Sequence, residues 1–411
     1  FGGTFNGNGF AISGLTIDSR YCDEYDSAVG LFGYAENATF KDTNINTTYV
    51  VEDVLYAGTL VGNATNSTIE NIIINSESSD YLGLIKSLSN TNSTIGGLAG
   101  SLEGGTLQFV SISAQVKVNN GTGGGVVGYN TSAIDQISSV STVIGNNTNA
   151  IIGGIIGNNN GSITNAYFRG IINTLVNASA VGGVVGNNLG TVKFTYVAPS
   201  AFTATGTVGG IIGINDTYTT NAVTDTDKVT YNYFSSSTNL AVSQGIGKAN
   251  TTLHTGFAST FYTDRAERKT ETELKTEKTF KTWDYDFIWA IDYTEGKLND
   301  GYPLFYYNNS YKVIEVTVTH ELYEIDGQEY GAVIRRSYNR DGSLSERSIS
   351  RNAVTEKVYV LDNNYVGFSV VPYDTGVIET VKVDTIEQVG DARELIEFTK
   401  VSTDHTIEVY F

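Results

Sequence analysis

A five-residue glycine pattern recurs along this chain: GGLAG at 96–100, GGVVG at 124–128, GGIIG at 153–157, GGVVG at 182–186 and GGIIG at 209–213. Looser copies, VGLFG at 29–33 and GTLVG at 58–62, precede them. Counted on the final glycine (Gly33, Gly62, Gly100, Gly128, Gly157, Gly186, Gly213), the steps are 29, 38, 28, 29, 29 and 27 residues. A period of that size marks one small unit stacked on copies of itself, which removes most folds from consideration.

The unit is legible in 153–180, GGIIGNNNGSITNAYFRGIINTLVNASA. Its apolar runs, Ile151–Ile156, Ile163–Phe168 and Gly170–Val176, are too short for helices and are separated by Gly, Asn and Ser clusters. They predict three short strands and three turns per unit. Such a unit cannot bury an apolar face alone. Coiling it so that each rung rests in parallel on the last pairs the backbone and stacks Val and Ile into interior ladders, which predicts an all-β parallel β-helix, a β-solenoid. About eight rungs at about 4.8 Å each give a body of about 40 Å. In this reading Gly153-Gly154 and Gly182-Gly183 take positive φ at a corner, and the two branched residues after each pair point to opposite faces. Asn158, Asn159, Asn187 and Asn188 follow the motif and are placed to hydrogen-bond along the stack. The 38-residue step from Gly62 to Gly100 holds an inserted loop, SESSDYLGLIKSLSN.

GTFNGNGFAISGLTID (3–18) and NATFKDTNINTTYV (37–50) read as opening rungs, and after VTYNYFSSS at 229–237 the pattern ends. DRAERKTETELKTEKTF (264–280) is the one stretch with a helical composition. The aromatic WDYDFIWAIDYTEGKLNDGYPLFYY (283–307) is expected to close the coil's last exposed edge. From Tyr311 the texture changes to alternating strands, about eight in roughly 100 residues, with a hairpin at Arg340-Asp341-Gly342, where Asp341 is a turn residue. That predicts three regions: a β-helix over 1–240, a capping segment with one short helix over 241–310, and an Ig-like β-sandwich over 311–411. Forty-five glycines against 3 prolines suit strands joined by tight turns.

The stretch GTFNGNGFAISGLTI, then VGLFGY, the repeated GG[VIL][VIA]G.N.G.I.N.Y and the closing W…W.ID…GYPLF resemble the GLUG-motif repeat proteins of microbial surfaces, over roughly residues 1–306. The tail, with GFSVVPYDTGVIETVKVD and IEFTKVSTDHTIEVYF, looks like the β-sandwich modules of large bacterial and archaeal surface proteins; it departs from regular strands around Asp374–Val377 and Gly390–Arg393. The resemblance implies extracellular placement and a parallel β-helix. It implies no single activity, because such repeats serve as stalks, adhesive regions and accessory parts of proteases.

The chemistry available is narrow. Net charge is −19, −11 over residues 1–310 and −8 over 311–411, which opposes binding to nucleic acid or anionic membrane surfaces. No apolar run is long enough to span a bilayer. The chain lacks methionine and opens at Phe1 within the pattern, as expected of a processed or partial chain with any signal peptide outside it. Cys22 has no internal partner and reads as a small buried residue or an intermolecular bridge; no Cys–His spacing supports zinc.

A polysaccharide-cleaving β-helix needs paired carboxylates on a groove wall. Between 86 and 216 the charged residues are Lys86, Glu103, Lys117, Asp135, Arg169, Lys193 and Asp216, with no two expected at matching places in adjacent rungs. His254, His320 and His405 lie far apart, and His405 reads as structural. GTGGGVVG at 121–128 spells the dinucleotide pattern without the following helix, and GIGKA at 245–249 lacks the rest of a phosphate loop. No catalytic residue and no cofactor are assigned. Asp23, Glu24 and Asp26, and less so Asp225 and Asp227, are candidate calcium ligands, equally explained as solvated loops. Tyr293, Tyr302, Phe305, Tyr306, Tyr307, Trp283 and Trp289 form either the cap or a carbohydrate-stacking surface.

Thirteen N-x-[ST] sequons, about twice the chance number, stand at Asn37, Asn46, Asn63, Asn66, Asn92, Asn120, Asn130, Asn146, Asn160, Asn177, Asn215, Asn250 and Asn308. The sequence therefore reads as a non-enzymatic extracellular structural or adhesive chain, a subunit of a sheath, surface layer or filament. Its expected self-association runs through the β-helix end or the C-terminal domain, because Phe1 opens abruptly on a rung edge that needs covering. An adhesin stalk binding glycans or neighbouring cells is the alternative, and a polysaccharide-degrading enzyme the remote one.

Overall fold

The computed structural model describes residues 1–14, 16–18, 28–46, 49–52, 55–75, 84–87, 92–216, 228–236, 242–249, 265–294, 297–319, 331–338, 344–349, 355–373 and 376–411. They are built from strands and short 3-10 turns, with no α-helix among them. The chain divides into two compact units, Phe1–Glu271 and Thr272–Phe411.

Among the described residues, two parallel sheets of 17 and 12 strands make the first unit. In the larger one, nine turns succeed each other. They are Thr4–Asn6 with Ala11–Ser13, Phe32–Glu36 with Thr39–Asn46, Val61–Asn75, Ala99–Ile112, and Val127–Asn130 with Ala133–Ser139. Ile156–Asn159 with Ser162–Phe168, Val185–Asn188 with Thr191–Val197, Ile212–Asn215 with Val229–Thr230 and Asn232–Ser235, and Ile246–Ala249 with Ala266–Lys269 complete the series. Successive turns pair in parallel, so the unit is solenoid-like.

Alternation along each strand explains why the stack holds. Register partners Phe40, Ile69, Leu107, Ile134, Ile163, Val192 and Val229 form one buried interior column. Ile45, Ile74, Ile112, Ser139, Phe168, Val197 and Phe234 form a second. Each large apolar side chain taken from water in this way contributes about 1.5–3 kcal/mol. A polar column runs beside them: Asn130, Asn159, Asn188 and Asn215 are fully buried, and each amide donates to the next at 2.8 Å. Asn130 Oδ1 also accepts the Ser132 N–H and Asn188 Oδ1 the Gly190 N–H, so the ladder satisfies the corner's backbone as well as itself. Asn158 and Asn187 do not join that ladder; Asn158 instead donates to Thr122 Oγ1.

Several local expectations are corrected. Gly153, Gly154, Gly182 and Gly183 do not take positive φ. Their role is clearance: a Cβ on Gly154 would sit 2.1 Å from the Gly183 carbonyl and 2.6 Å from the Phe168 ring, and one on Gly183 would sit 2.2 Å from the Gly210 carbonyl. The two branched residues after the pair do not diverge, since Val126 with Val127, Ile155 with Ile156 and Val184 with Val185 are all buried where the chain bends between strands. Positive φ falls instead on a column of larger residues: Asp42, Asn71, Phe109, Gln136, Asn165, Phe194 and Tyr231, at 48° to 58°. For residues other than Gly, Asn and Asp that conformation costs about 1–2 kcal/mol.

The repeat also outlasts the expected boundary at 240. GIGKA is the start of the ninth turn, Ile246 pairing with Ile212. The expected helix at 264–280 is absent: Ala266–Lys269 is a strand on Asn232–Ser235, followed by the 3-10 turns Glu273–Lys275 and Glu277–Thr279. In a stack, pairing with a preformed strand edge outweighs the modest helix preference of a charged segment. Within the expected inserted loop, Leu84–Ser87 is a rung strand between Tyr49–Glu52 and Gln115–Val118.

The second unit sets a five-stranded sheet against a four-stranded one. The first runs in the order Thr355–Leu361, Tyr311–Thr319, His405–Tyr410, Thr380–Val383, Ile386–Glu387. The second runs Leu344–Ile349, Gly331–Tyr338, Val366–Pro372, Leu395–Phe398. Ile314, Val316, Val333, Val358, Phe368, Val381, Ile407 and Val409 share one core between them. Residues 272–310 belong to this unit, so the expected 241–310 segment is divided. Trp283, Trp289 and Phe305 are buried and stack in series at 4.3 Å per step. The Tyr306 hydroxyl donates to the Tyr359 carbonyl at 2.7 Å. The segment's packing is thus with the two-sheet body, and its rings form a core rather than an open carbohydrate platform.

That packing is tied by charge. Arg335 is buried, with Glu277 at 3.3 Å and Asp286 at 3.6 Å. Burial opposes its charged form, but Glu277 and Asp286 outweigh burial and raise its pKa. Arg347 meets Asp286 at 3.2 Å and donates to the Trp283 carbonyl. Burial pushes the nearby Tyr293 and Tyr306 hydroxyls well above the ordinary tyrosine range.

Candidate functional site

The sequence-marked residues scatter. Asp23, Glu24, Asp26, Asp225, Asp227, Cys22, His254, His320, Asp341 and Asn250 lie outside the described residues. Among the described residues no group of three or more His, Cys, Asp or Glu could hold a metal ion. No helix there is long and apolar enough to cross a membrane.

Of the sequons, Asn37, Asn66, Asn92, Asn160, Asn177 and Asn308 are exposed, and Asn46, Asn63 and Asn146 half-buried. Asn120, Asn130 and Asn215 are buried, which removes them as acceptors in the folded chain; Asn130 and Asn215 are the ends of the interior amide ladder. A sequon pattern cannot tell an outward asparagine from one facing the core.

His405 sits at 2.7 Å from Asp384 through Nδ1 and against the Phe398 ring at 4.4 Å. Burial works against the Asp384 carboxylate, but hydrogen bonds from His405 and the Thr406 N–H prevail and hold its pKa low. Lys86 and Lys117 turn out to be register partners, contrary to expectation, but two cations supply no acid–base pair.

One face of the solenoid-like unit gathers chemistry in an ordered way. Its outward positions run Lys41, Glu70, Gln108, Asp135, Thr164, Lys193, Thr230 in direct register. Immediately after each comes the left-handed column Asp42, Asn71, Phe109, Gln136, Asn165, Phe194, Tyr231. The positive φ tilts these side chains out of the strand's alternation and widens the face to two residues per turn.

Hydrogen bonds knit the face along the stack. Asn71 donates to Asp42 at 2.7 Å and Gln108 to Glu70 at 3.2 Å. Asp135 receives Thr164 at 2.6 Å and Asn165 at 2.8 Å on Oδ1, and Gln136 at 3.2 Å on Oδ2. The Phe194 and Tyr231 rings then lie parallel, 5.5 Å apart at 3°. The arrangement offers flat rings beside hydroxyl, amide, carboxylate and ammonium groups, suited to binding rather than to covalent chemistry.

Sequence reading picked out Asp135 and Lys193 as charges but missed the face. Its signal is the pair at a fixed place in the unit, QF at 108–109, KF at 193–194 and TY at 230–231. No family model, curated protein or solved structure matches this chain significantly.

Proposed function

We propose that this chain is an extracellular structural or adhesive protein: a parallel β-helix of the GLUG-repeat type joined to a β-sandwich, acting as a subunit of a surface assembly such as a sheath, surface layer or filament. The observation that supports it most is the unbroken set of interior columns through the turns, apolar from Phe40 to Val229 and amide from Asn130 to Asn215. Stacked repeats of this kind make a stiff element whose length is set by repeat number, the property a scaffold needs. Six exposed sequons fit a glycosylated outer surface.

The test is to image the chain purified from its native surface by electron microscopy and to weigh it by light scattering and intact mass over a concentration series. Ordered tubes, sheets or fibres carrying glycan mass are the expected result. Dispersed monomers at every concentration would remove the subunit reading and leave the adhesin stalk, the reading that the polar and aromatic face favours.

A further inference from the structure

Phe194 and Tyr231 stand where backbone sterics would choose otherwise. The left-handed column suits Asp and Asn, and the chain uses them there at Asp42, Asn71 and Asn165. At φ 55° and 58°, Phe194 and Tyr231 instead carry large rings in the same strained conformation. They are stacked flat on one another, and Tyr231 is 42% exposed. Residues held in costly backbone regions concentrate where a protein binds something.

Their surroundings narrow what is bound. Lys193, next to Phe194, has no ion partner among the described residues. One turn along, Thr164 keeps acceptor capacity, and Asp135 Oδ2 has received only Gln136. No sequon asparagine falls in Ala133–Ser139, Ser162–Phe168, Thr191–Val197 or 229–235, whereas exposed sequon asparagines stand at other positions of the same unit. The sequon asparagines thus lie outside the strands that carry the face from Asp135 to Tyr231. The chain's charge of −19 repels polyanions at long range, and the face offers no cluster of cations to overcome that.

We infer that this face binds an extended, neutral polysaccharide. The stacked pair Phe194 and Tyr231 packs against the C–H groups of its sugars, while Lys193, Asp135, Thr164 and Thr230 exchange hydrogen bonds with its hydroxyls. A rise of about 4.8 Å per turn sets a new ring or polar pair beneath successive sugars of a chain lying along the stack. The inference rests on the adhesive side of the proposed function and names its ligand class.

The experiment uses the full chain in affinity gels containing hydroxyethyl cellulose, with polygalacturonate as the anionic counterpart. Retardation by the neutral polymer is expected. The double variant Phe194→Asn, Tyr231→Asn should bind about tenfold more weakly, and Lys193→Ala about threefold, taking a lost ring contact as worth the usual aromatic interaction. Because Asn suits the left-handed backbone, the double variant should melt no lower than the parent, which separates lost binding from lost fold. Absence of retardation by the neutral polymer, preference for polygalacturonate, or a double variant that melts lower and binds as before would each overturn the inference. Electron microscopy of the same samples reads assembly separately, so failure here is distinguishable from failure of the subunit reading.

Discussion

The two units reach stability by opposite routes. The solenoid-like unit repeats one solution: Ile134, Ile163 and Val192 do the same work in three consecutive turns, and each touches mainly its neighbours above and below. The C-terminal unit depends on an arrangement made once, in which Arg335 joins Glu277 and Asp286 beneath Tyr293 and Tyr306. Repetition spreads the consequence of a change over adjacent turns, whereas a unique buried charge concentrates it.

The comparison breaks most sharply at Arg335. Arg335→Met keeps the length but leaves Glu277 buried without its cation, and the expected loss is about 3–5 kcal/mol. Urea unfolding of the full chain should show one transition displaced and the other unmoved; a loss under about 1 kcal/mol would mean the cluster is hydrated and the contrast false.

Ile163→Ala should cost about 2–5 kcal/mol. Here hydrogen exchange is the sharper measurement, with faster exchange in 133–139 and 191–197 and none added in the last or first turns. Uniform acceleration along the unit would show that the turns melt together rather than by neighbours.

A smaller effect is expected in the amide ladder. Asn159→Ala removes one acceptor of the Asn130 amide, which keeps the Ser132 carbonyl, and one donor to Asn188 Oδ1, which keeps the Gly190 N–H, about 1–3 kcal/mol if no water replaces Asn159. Asn177→Ala, at an exposed position of the same unit without a left-handed backbone, serves as the control and should cost little.

Acid probes the C-terminal unit more gently. Burial opposes the Asp292 carboxylate, but donors from the Leu298 and Thr294 N–H groups and Asn364 outweigh it and hold its pKa low. A carboxylate held low in the folded chain contributes fully above its unfolded value of about 3.9 and loses that contribution as pH falls through the folded one. Asp384 adds in the same direction, with less weight because it is largely solvated. Stability of this unit should therefore decline below about pH 4, and Asp292→Asn should flatten that decline in a pH series of melting curves.

How much of this was legible depended on whether the signal was periodic. The strand period, the turn-by-turn stacking and the Val and Ile interior follow from the spacing of Gly33 through Gly213, because a small repeat has no other way to bury its apolar face. The ninth turn was hidden because GIGKA and the Ala266–Lys269 strand lack the full motif, and Gly247 of GIGKA lies 34 residues beyond Gly213. The candidate face was half legible. Asp135 and Lys193 are visible as charges, but their alignment with Thr164 between them is a matter of register, and the outward tilt of Phe194 and Tyr231 is a matter of φ.

The sequence by itself determined that one strand-and-turn unit is stacked and that a second all-β region follows, since apolar periodicity and turn residues act locally. Only the tertiary structure decided which asparagines face inward as a ladder and which face out as sequons. It also decided that the aromatic segment joins the two-sheet body, and that Arg335 meets Glu277 from 58 residues away. Those outcomes depend on which surfaces are brought within a few ångströms, and burial converts the same amide or carboxylate from a solvated group into one that must find a partner.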